Sequence, residues 1–310
     1  MKLKILQNVF SLICQLFAIF PAILLNIPFG MMLAWPSPTY PRYLLESSPI
    51  PIDLDQSAMI AGFLMIGLSV ATPLSSATWI GPKNSMTVGS FLMTLGWIVL
   101  WRANSIYLVL LGRFITGFGY GFCVSKIKKY ISEMCEKELS SGIINLTMPA
   151  TCVGVITMFS YGNFVKLEDV SVIASIISAC IFCLVAFLPH TPKEFIQSNN
   201  LKYAKHVIEA VNPKANVQEV INKMKMELSS KEINVSFLGI LKDSNLRLDF
   251  FNIAILTFFQ QFTGVPSTII YCQIMFSKCK VEHPIYMSMV YVIFFLFGNI
   301  LGIFVTPKIQ

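Results

Sequence analysis

Gly112-Arg113-Phe114-Ile115-Thr116-Gly117-Phe118-Gly119-Tyr120-Gly121 lies inside an apolar run from Ile106 to Val124 whose only charge is Arg113. About 20 residues of this character are what an α-helix needs to cross a bilayer. Gly117, Gly119 and Gly121 leave one side of that helix without side chains, so a neighbouring helix can approach closely, as small residues allow in membrane packing. Arg113 is costly in lipid unless it is paired or snorkels outward, so it is expected to organise the bundle near the outer face. A direct contact with a ligand is the alternative role for it.

The rest of the chain has the same character. Apolar residues make up 55% of the 310 residues and charged residues 13%, with a mean hydropathy of +0.68. A soluble domain carries about a quarter of its residues as charges. Apolar runs long enough to span a bilayer lie near 9–35, 57–80, 84–103, 106–125, 143–165, 170–189, 248–272 and 284–306. Strand-like alternation is absent, so the fold class is all-α, a polytopic membrane helical bundle of about eight spans. The first run is too long for a signal-peptide core and is read as a membrane helix.

Lys and Arg set the orientation. With the N-terminus inside, the inner segments hold seventeen of the 23 basic residues and the outer loops hold five, Arg42, Arg102, Lys166, Lys278 and Lys280. By the positive-inside rule both termini face the cytoplasm, and the net charge of +7 reflects this asymmetry rather than nucleic-acid binding. Cysteines lie mostly in the spans, where packing is expected; Cys180-Ile181-Phe182-Cys183 has redox-motif spacing at lipid depth. The sequons Asn145-Leu146-Thr147 and Asn234-Val235-Ser236 fall in a helix and on the inner side, and are expected to be unused.

Residues 190–247 form the one extended polar segment. Within it, Lys202 to Val211 and Val217 to Leu228 carry apolar residues at helical spacing with Asn212-Pro213 between them. Three regions follow: a six-helix bundle over 1–189, an inner loop with short amphipathic helices over 190–247, and the first two helices of an incomplete second bundle over 248–310.

Gln260-Gln261 is the most informative polar feature of the spans. An unpaired amide in hydrocarbon costs several kcal/mol on rough transfer scales, so the pair should face protein or a water-filled cavity. Uncharged donors and acceptors suit a neutral polyhydroxyl ligand that must bind and then leave. Interhelical hydrogen bonding by one or both is the other reading. Gly264 and Pro266, just beyond, loosen the backbone and mark a bend or gate.

The fourth run continues to Tyr130-Ile131-Ser132-Glu133 and so resembles the sugar-porter family of the major facilitator superfamily, in which GRxxxGxGxG leads to PxYxSE. Gln260-Gln261-Phe262-Thr263-Gly264 with Tyr271 is similar to that family's QQxxGxNxxxYY, and Pro189-His190-Thr191-Pro192 stands where it has PESP or PETP. Ala34-Trp35-Pro36-Ser37-Pro38 is most similar to the facilitated trehalose transporter branch. The resemblance implies the major facilitator fold, with Gln260, Gln261 and Tyr271 touching sugar and with Arg113, Gly117, Gly121, Glu133, Gly264 and Pro266 as structural or gating positions.

Departures are equally visible. Thr78-Trp79-Ile80-Gly81-Pro82-Lys83 lacks the acid and first arginine of the loop after the second helix, and Glu138-Leu139-Ser140-Ser141 lacks the arginine expected to face Glu133. Lys129 or Lys137, each four residues from Glu133, is the substitute partner, worth a few tenths of a kcal/mol at an exposed site. Lys128 replaces the proline before Tyr130, and Lys126, Lys128 and Lys129 are expected to snorkel into headgroups. Met148 stands at a sugar-contacting glutamine position, Pro266 at the asparagine and Ile270 at the first aromatic of the YY pair.

The expected function is facilitative transport of a neutral sugar, trehalose- or glucose-like, by alternating access. With no acidic residue at mid-depth in a span, passive transport is favoured over symport. A truncated or degenerate family member that does not transport is the alternative. The expected partners are a neutral small-molecule sugar and the lipid bilayer, with no nucleic acid, no cofactor, no metal and no enzymatic activity. The plasma membrane is the location that the resemblance implies.

Overall fold

A computed structural model describes residues 18–77, 80–135, 137–211, 216–230 and 244–305. Expectations that concern Lys2, Lys4, Cys14, Thr78, Trp79, Pro213, Lys214, Lys231, the Asn234 sequon, Lys242 and Lys308 lie outside these residues. Among them the chain is helical without strands, and eight helical segments are long and apolar enough to cross a membrane. In order they are Ala18–Tyr43, Leu54–Ser76, Pro82–Trp101, Ile106–Met134, Leu139–Gly162, Leu167–Ala186, Leu246–Lys278 and Pro284–Ile303, called here the first to eighth spans.

The fourth span is the centre of the bundle, with the second and third spans packed along opposite sides of it. Its glycines explain the closeness, and they clear two sides of the helix rather than the one expected, because residues two apart point about 200° away from each other: Gly119 faces the third span, Gly117 and Gly121 the second. A Cβ at Gly119 would come within 2.6 Å of the Gly89 carbonyl oxygen and 2.7 Å of the Met93 amide, and one at Gly121 within 2.7 Å of the Leu68 carbonyl. Lipid gives helices no hydrophobic drive to associate, so backbone approach and short polar bridges must do so. Ser75 and Ser85 supply such bridges, both donating to the Phe122 carbonyl at 3.1 and 3.0 Å. Thr94 and Ser178 similarly join the third span to the sixth at 3.1 Å.

The first span runs past its expected end at residue 35 and continues to Tyr43. Pro36 begins the second part, where a missing N–H is tolerated. Thr39 Oγ1 donates to the Trp35 carbonyl at 2.7 Å. This second part packs against Val265–Lys278 of the seventh span, and the Gln273 backbone N–H there donates to Ser37 Oγ at 3.3 Å. Arg42 closes this end by donating to the Val165 and Asn163 carbonyls at 2.7 and 2.6 Å.

The fifth span is two helices, Lys137–Asn145 and Thr147–Gly162, with a break at Leu146. Pro149 accounts for it, because it has no N–H for the Asn145 carbonyl four residues earlier and its ring crowds that carbonyl. The eighth span packs mainly on this fifth span.

The helix of the fourth span runs beyond the apolar stretch that ends at 125, through Tyr130 and Glu133 to Met134, and tertiary contacts hold its last turns. Tyr130 donates to the Pro189 carbonyl at 3.0 Å and Thr191 Oγ1 donates to Glu133 at 2.8 Å. Among the described residues three short helices follow the sixth span: Pro192–Gln197, Leu201–Val211 and Val217–Ser230. Thr191 and Glu194 form a reciprocal capping box on the first. Ile196, Ala204, Ile208 and Ile221 make their own small core, and Lys193 pairs with Glu227 at 2.7 Å.

Candidate functional site

Tyr120, in the glycine motif of the fourth span, donates to Asn26 Oδ1 of the first at 2.9 Å. Asn26 Nδ2 donates to its own helix at Ile23 O, 2.9 Å, which fixes the amide with its oxygen toward Tyr120. Phe29 stacks on the Tyr120 ring at 3.7 Å between centroids and 5° between planes. This trio walls one side of a cavity of about 780 Å³. Thr147, Met148 and Thr151 of the fifth span form a second side, and Phe294, Phe295 and Asn299 of the eighth a third.

The threonine and tyrosine hydroxyls of these walls, and one N–H of each of Asn26 and Asn299, donate within the protein. Thr147 Oγ1 donates to Ile144 O at 2.7 Å, Thr151 Oγ1 to Thr147 O at 3.1 Å, and Asn299 Nδ2 to Phe295 O at 2.8 Å. The lone pairs of Thr147, Thr151, Tyr120 and Asn299 Oδ1 are then the groups left for a ligand. Such a wall receives hydrogen bonds from a polyhydroxyl molecule, and the aromatic rings supply faces for its C–H surfaces. Among the described residues neither aspartate nor glutamate lines the cavity.

The residues singled out by sequence fall in four places. Arg113 is fully buried, donating from Nη1 to Met32 O at 2.7 Å and from Nε to Ile60 O at 3.3 Å, with Cζ 5.4 Å from the centre of the Trp35 ring. Pro36 cannot donate to Met32 O as the fourth residue of a helix normally does, so the guanidinium takes that place. Gly117 and Gly121 lie against Leu64 and Leu68 of the second span.

Glu133 is buried rather than exposed, at 7% accessibility. Its partners are Thr191 and, at 4.0 Å, Lys129, while the Lys137 side chain lies outside the described residues. The expectation of three snorkelling lysines also changes. Lys126 is buried and donates to Ile80 O at 3.3 Å, because the turn before the third span folds over it; Lys128 lies on the cavity.

Gln260 and Gln261 are exposed, as is every side chain from Leu246 to Thr263, and neither lines the cavity. Gly264, left-handed at φ +74°, separates their helix from the one that begins at Val265 with Pro266 in its first turn. Tyr271 is half-buried, its ring 5.7 Å from that of Tyr40. Met148 does line the cavity. Asn26, Tyr120, Thr151 and Asn299 are cavity residues that sequence reasoning passed over. Their signal is that of Gln260, an isolated polar side chain inside an apolar span.

Residues 14–309 match the model of a family described as "Sugar (and other) transporter". The mouse solute carrier family 2, facilitated glucose transporter member 6, is 21% identical over 271 residues, covering 86% of this chain and 54% of that protein. The facilitated trehalose transporter Tret1 of Polypedilum vanderplanki is 24% identical over 197 residues, 62% of this chain and 39% of that one. The chain spans about half the length of such curated relatives. In fold it is similar to the xylose transporter XylE from E. coli in a partially occluded inward open conformation, with a TM-score of 0.76 at 15% identity over 96% of this chain and 74% of that one.

Proposed function

Because the chain belongs to the sugar (and other) transporter family, we propose that the protein carries a neutral sugar, trehalose- or glucose-like, across a membrane by alternating access. The observation that carries this reading is the acceptor-rich, aromatic-flanked cavity between the first, fourth, fifth and eighth spans. A sugar donates from its hydroxyls and meets lone pairs at Asn299, Thr147, Thr151 and Tyr120. No carboxylate stands on the lining among the described residues to carry a proton, which favours passive transport.

In the same proposal Gln260, Gln261 and Tyr271 contact the sugar in another stage of the cycle. Gly264 is the hinge: its left-handed backbone divides the seventh span, and rotation there re-aims the Gln pair. Arg113, Gly117 and Gly121 keep the first, second and fourth spans together as a rigid body. Glu133 ties that body to the 190–247 loop. The positive-inside count puts both termini in the cytoplasm, and the plasma membrane is the proposed location.

The test is uptake of labelled glucose and trehalose by the full native polypeptide in proteoliposomes, with Asn299→Ala and Tyr120→Phe beside it. Saturable flux that follows the sugar gradient, ignores a collapsed proton gradient and falls in both variants supports the proposal. Flux indifferent to both substitutions removes the cavity from the mechanism. The exposed Gln pair and the apolar Met148 on the cavity favour a second reading, a family member that does not transport; the absence of any flux in the wild type would select it.

A further inference from the structure

The cavity is not uniform in its hydrogen bonding. Around Tyr120 and Asn299 its walls offer lone pairs, but Lys128 and Asn145 on the same lining offer donors. Lys128 lies eight residues beyond Tyr120 on one continuous helix, about 12 Å along the axis at 1.5 Å per residue. It therefore marks one end of the space rather than its middle.

Lys128 differs from the two lysines beside it. Lys126 is buried against Ile80 O, and Lys129 has Glu133 one helical turn away. The helix neighbours of Lys128, three and four residues off, are Val124, Ser125, Ile131 and Ser132, none of them acidic. It has no ion-pair or hydrogen-bond partner among the described residues, and it is the one charged residue on the cavity lining. The Asn145 side chain, on the same lining at the break in the fifth span, also makes no hydrogen bond among the described residues. An ammonium and an amide N–H group together supply donors and one positive charge that no described residue receives.

We propose that Lys128 and Asn145 form an oxyanion subsite at one end of the cavity. It takes the carboxylate or phosphate of an acidic sugar, or a free inorganic anion held beside a neutral sugar. This rests on the cavity being the sugar site; a free anion leaves the sugar of that proposal neutral, whereas an acidic sugar would replace it. Charge-assisted hydrogen bonds to such a group are the strong kind, and the missing counter-ion favours occupancy.

The experiment measures apparent Kd from ligand-dependent thermal unfolding of the full native polypeptide in detergent. The probes are D-glucose, D-glucuronate, D-glucose 6-phosphate, and inorganic phosphate with and without glucose. An acidic sugar is expected to bind about tenfold or more tighter than glucose, the gain of one charge-assisted bond. Lys128→Gln should bring that ratio toward one, Lys128→Arg should keep most of it, and Asn145→Ala should reduce it. Lys128 is exposed, so its substitutions do not disturb the core.

A gain seen only with glucuronate or glucose 6-phosphate assigns the anion to the sugar itself. Phosphate that binds or tightens glucose binding in a Lys128-dependent way assigns it to a free anion. Phosphate binding that needs Lys128, in a protein that binds no sugar, would leave the subsite standing and sink the sugar reading. Glucose binding with no anion preference, or a preference that survives Lys128→Gln, overturns the subsite. So does a Lys128-dependent stabilisation produced only by phosphatidylglycerol nanodiscs, which would put the ammonium among lipid headgroups.

Discussion

Replacing Arg113 by Met should destabilise the bundle far less when Pro36 is replaced as well. In the wild type Met32 O receives 2.7 Å from Arg113 Nη1 and nothing from residue 36, which as proline has no N–H. Arg113→Met leaves that buried carbonyl without a donor, a loss of about 1–3 kcal/mol. Ile60 O, the second acceptor at 3.3 Å, sits inside a continuous helix and keeps its backbone partner at Leu64, so it contributes little to the loss. Pro36→Ala restores an amide four residues after Met32 and supplies an alternative donor. The buried charge disappears equally in both backgrounds and cancels in the cycle. The expected coupling between the two changes is therefore about 1–2 kcal/mol in the direction of rescue. Equilibrium unfolding of the four proteins in mixed detergent micelles reads it. Strictly additive effects would refute the claim that the guanidinium replaces a backbone donor that proline took away.

Other consequences follow from the packing and the proposed cycle. Gly119→Val forces side-chain atoms into the Gly89 carbonyl and Met93 amide, so it should cost about 1–3 kcal/mol or prevent assembly, read as loss of a monodisperse peak in size-exclusion chromatography. Thr191→Val removes both the donor to buried Glu133 and the cap of Pro192–Gln197, and should lower stability by about 2 kcal/mol, with Thr191→Ser recovering most of it. Cys279, exposed between the seventh and eighth spans, should react with a membrane-impermeant maleimide on intact cells if both termini are cytoplasmic; labelling only after permeabilisation would invert the topology. Gln260→Leu with Gln261→Leu should abolish saturable sugar uptake, and unchanged uptake would remove the pair from the binding role.

The architecture was legible because membrane helices announce themselves locally. A span must be apolar over about 20 residues, so the eight runs, the all-helical class and the close-packing glycines of the fourth span all appear in the linear sequence. The ends of the spans were less legible, since what stops a helix at a membrane surface is often a partner from elsewhere. Tyr130 and Glu133 extend the fourth span by reaching Pro189 and Thr191, 59 and 58 residues away. Glu133 looked like a surface carboxylate until those residues folded over it.

Sequence alone determined the solvent for which this chain is made, the runs long and apolar enough to span it and the family to which the chain belongs, because composition, length and short motifs carry that information without reference to distant residues. Only the tertiary structure decided which polar residues share a space. Asn26, Tyr120, Asn145 and Asn299 are up to 273 positions apart and meet on one cavity, whereas Gln260 and Gln261, adjacent to each other and conspicuous in sequence, lie outside it. A lone amide in an apolar helix states that it needs a partner. Which face of the helix it occupies, and which helix lies opposite, is settled by packing between spans.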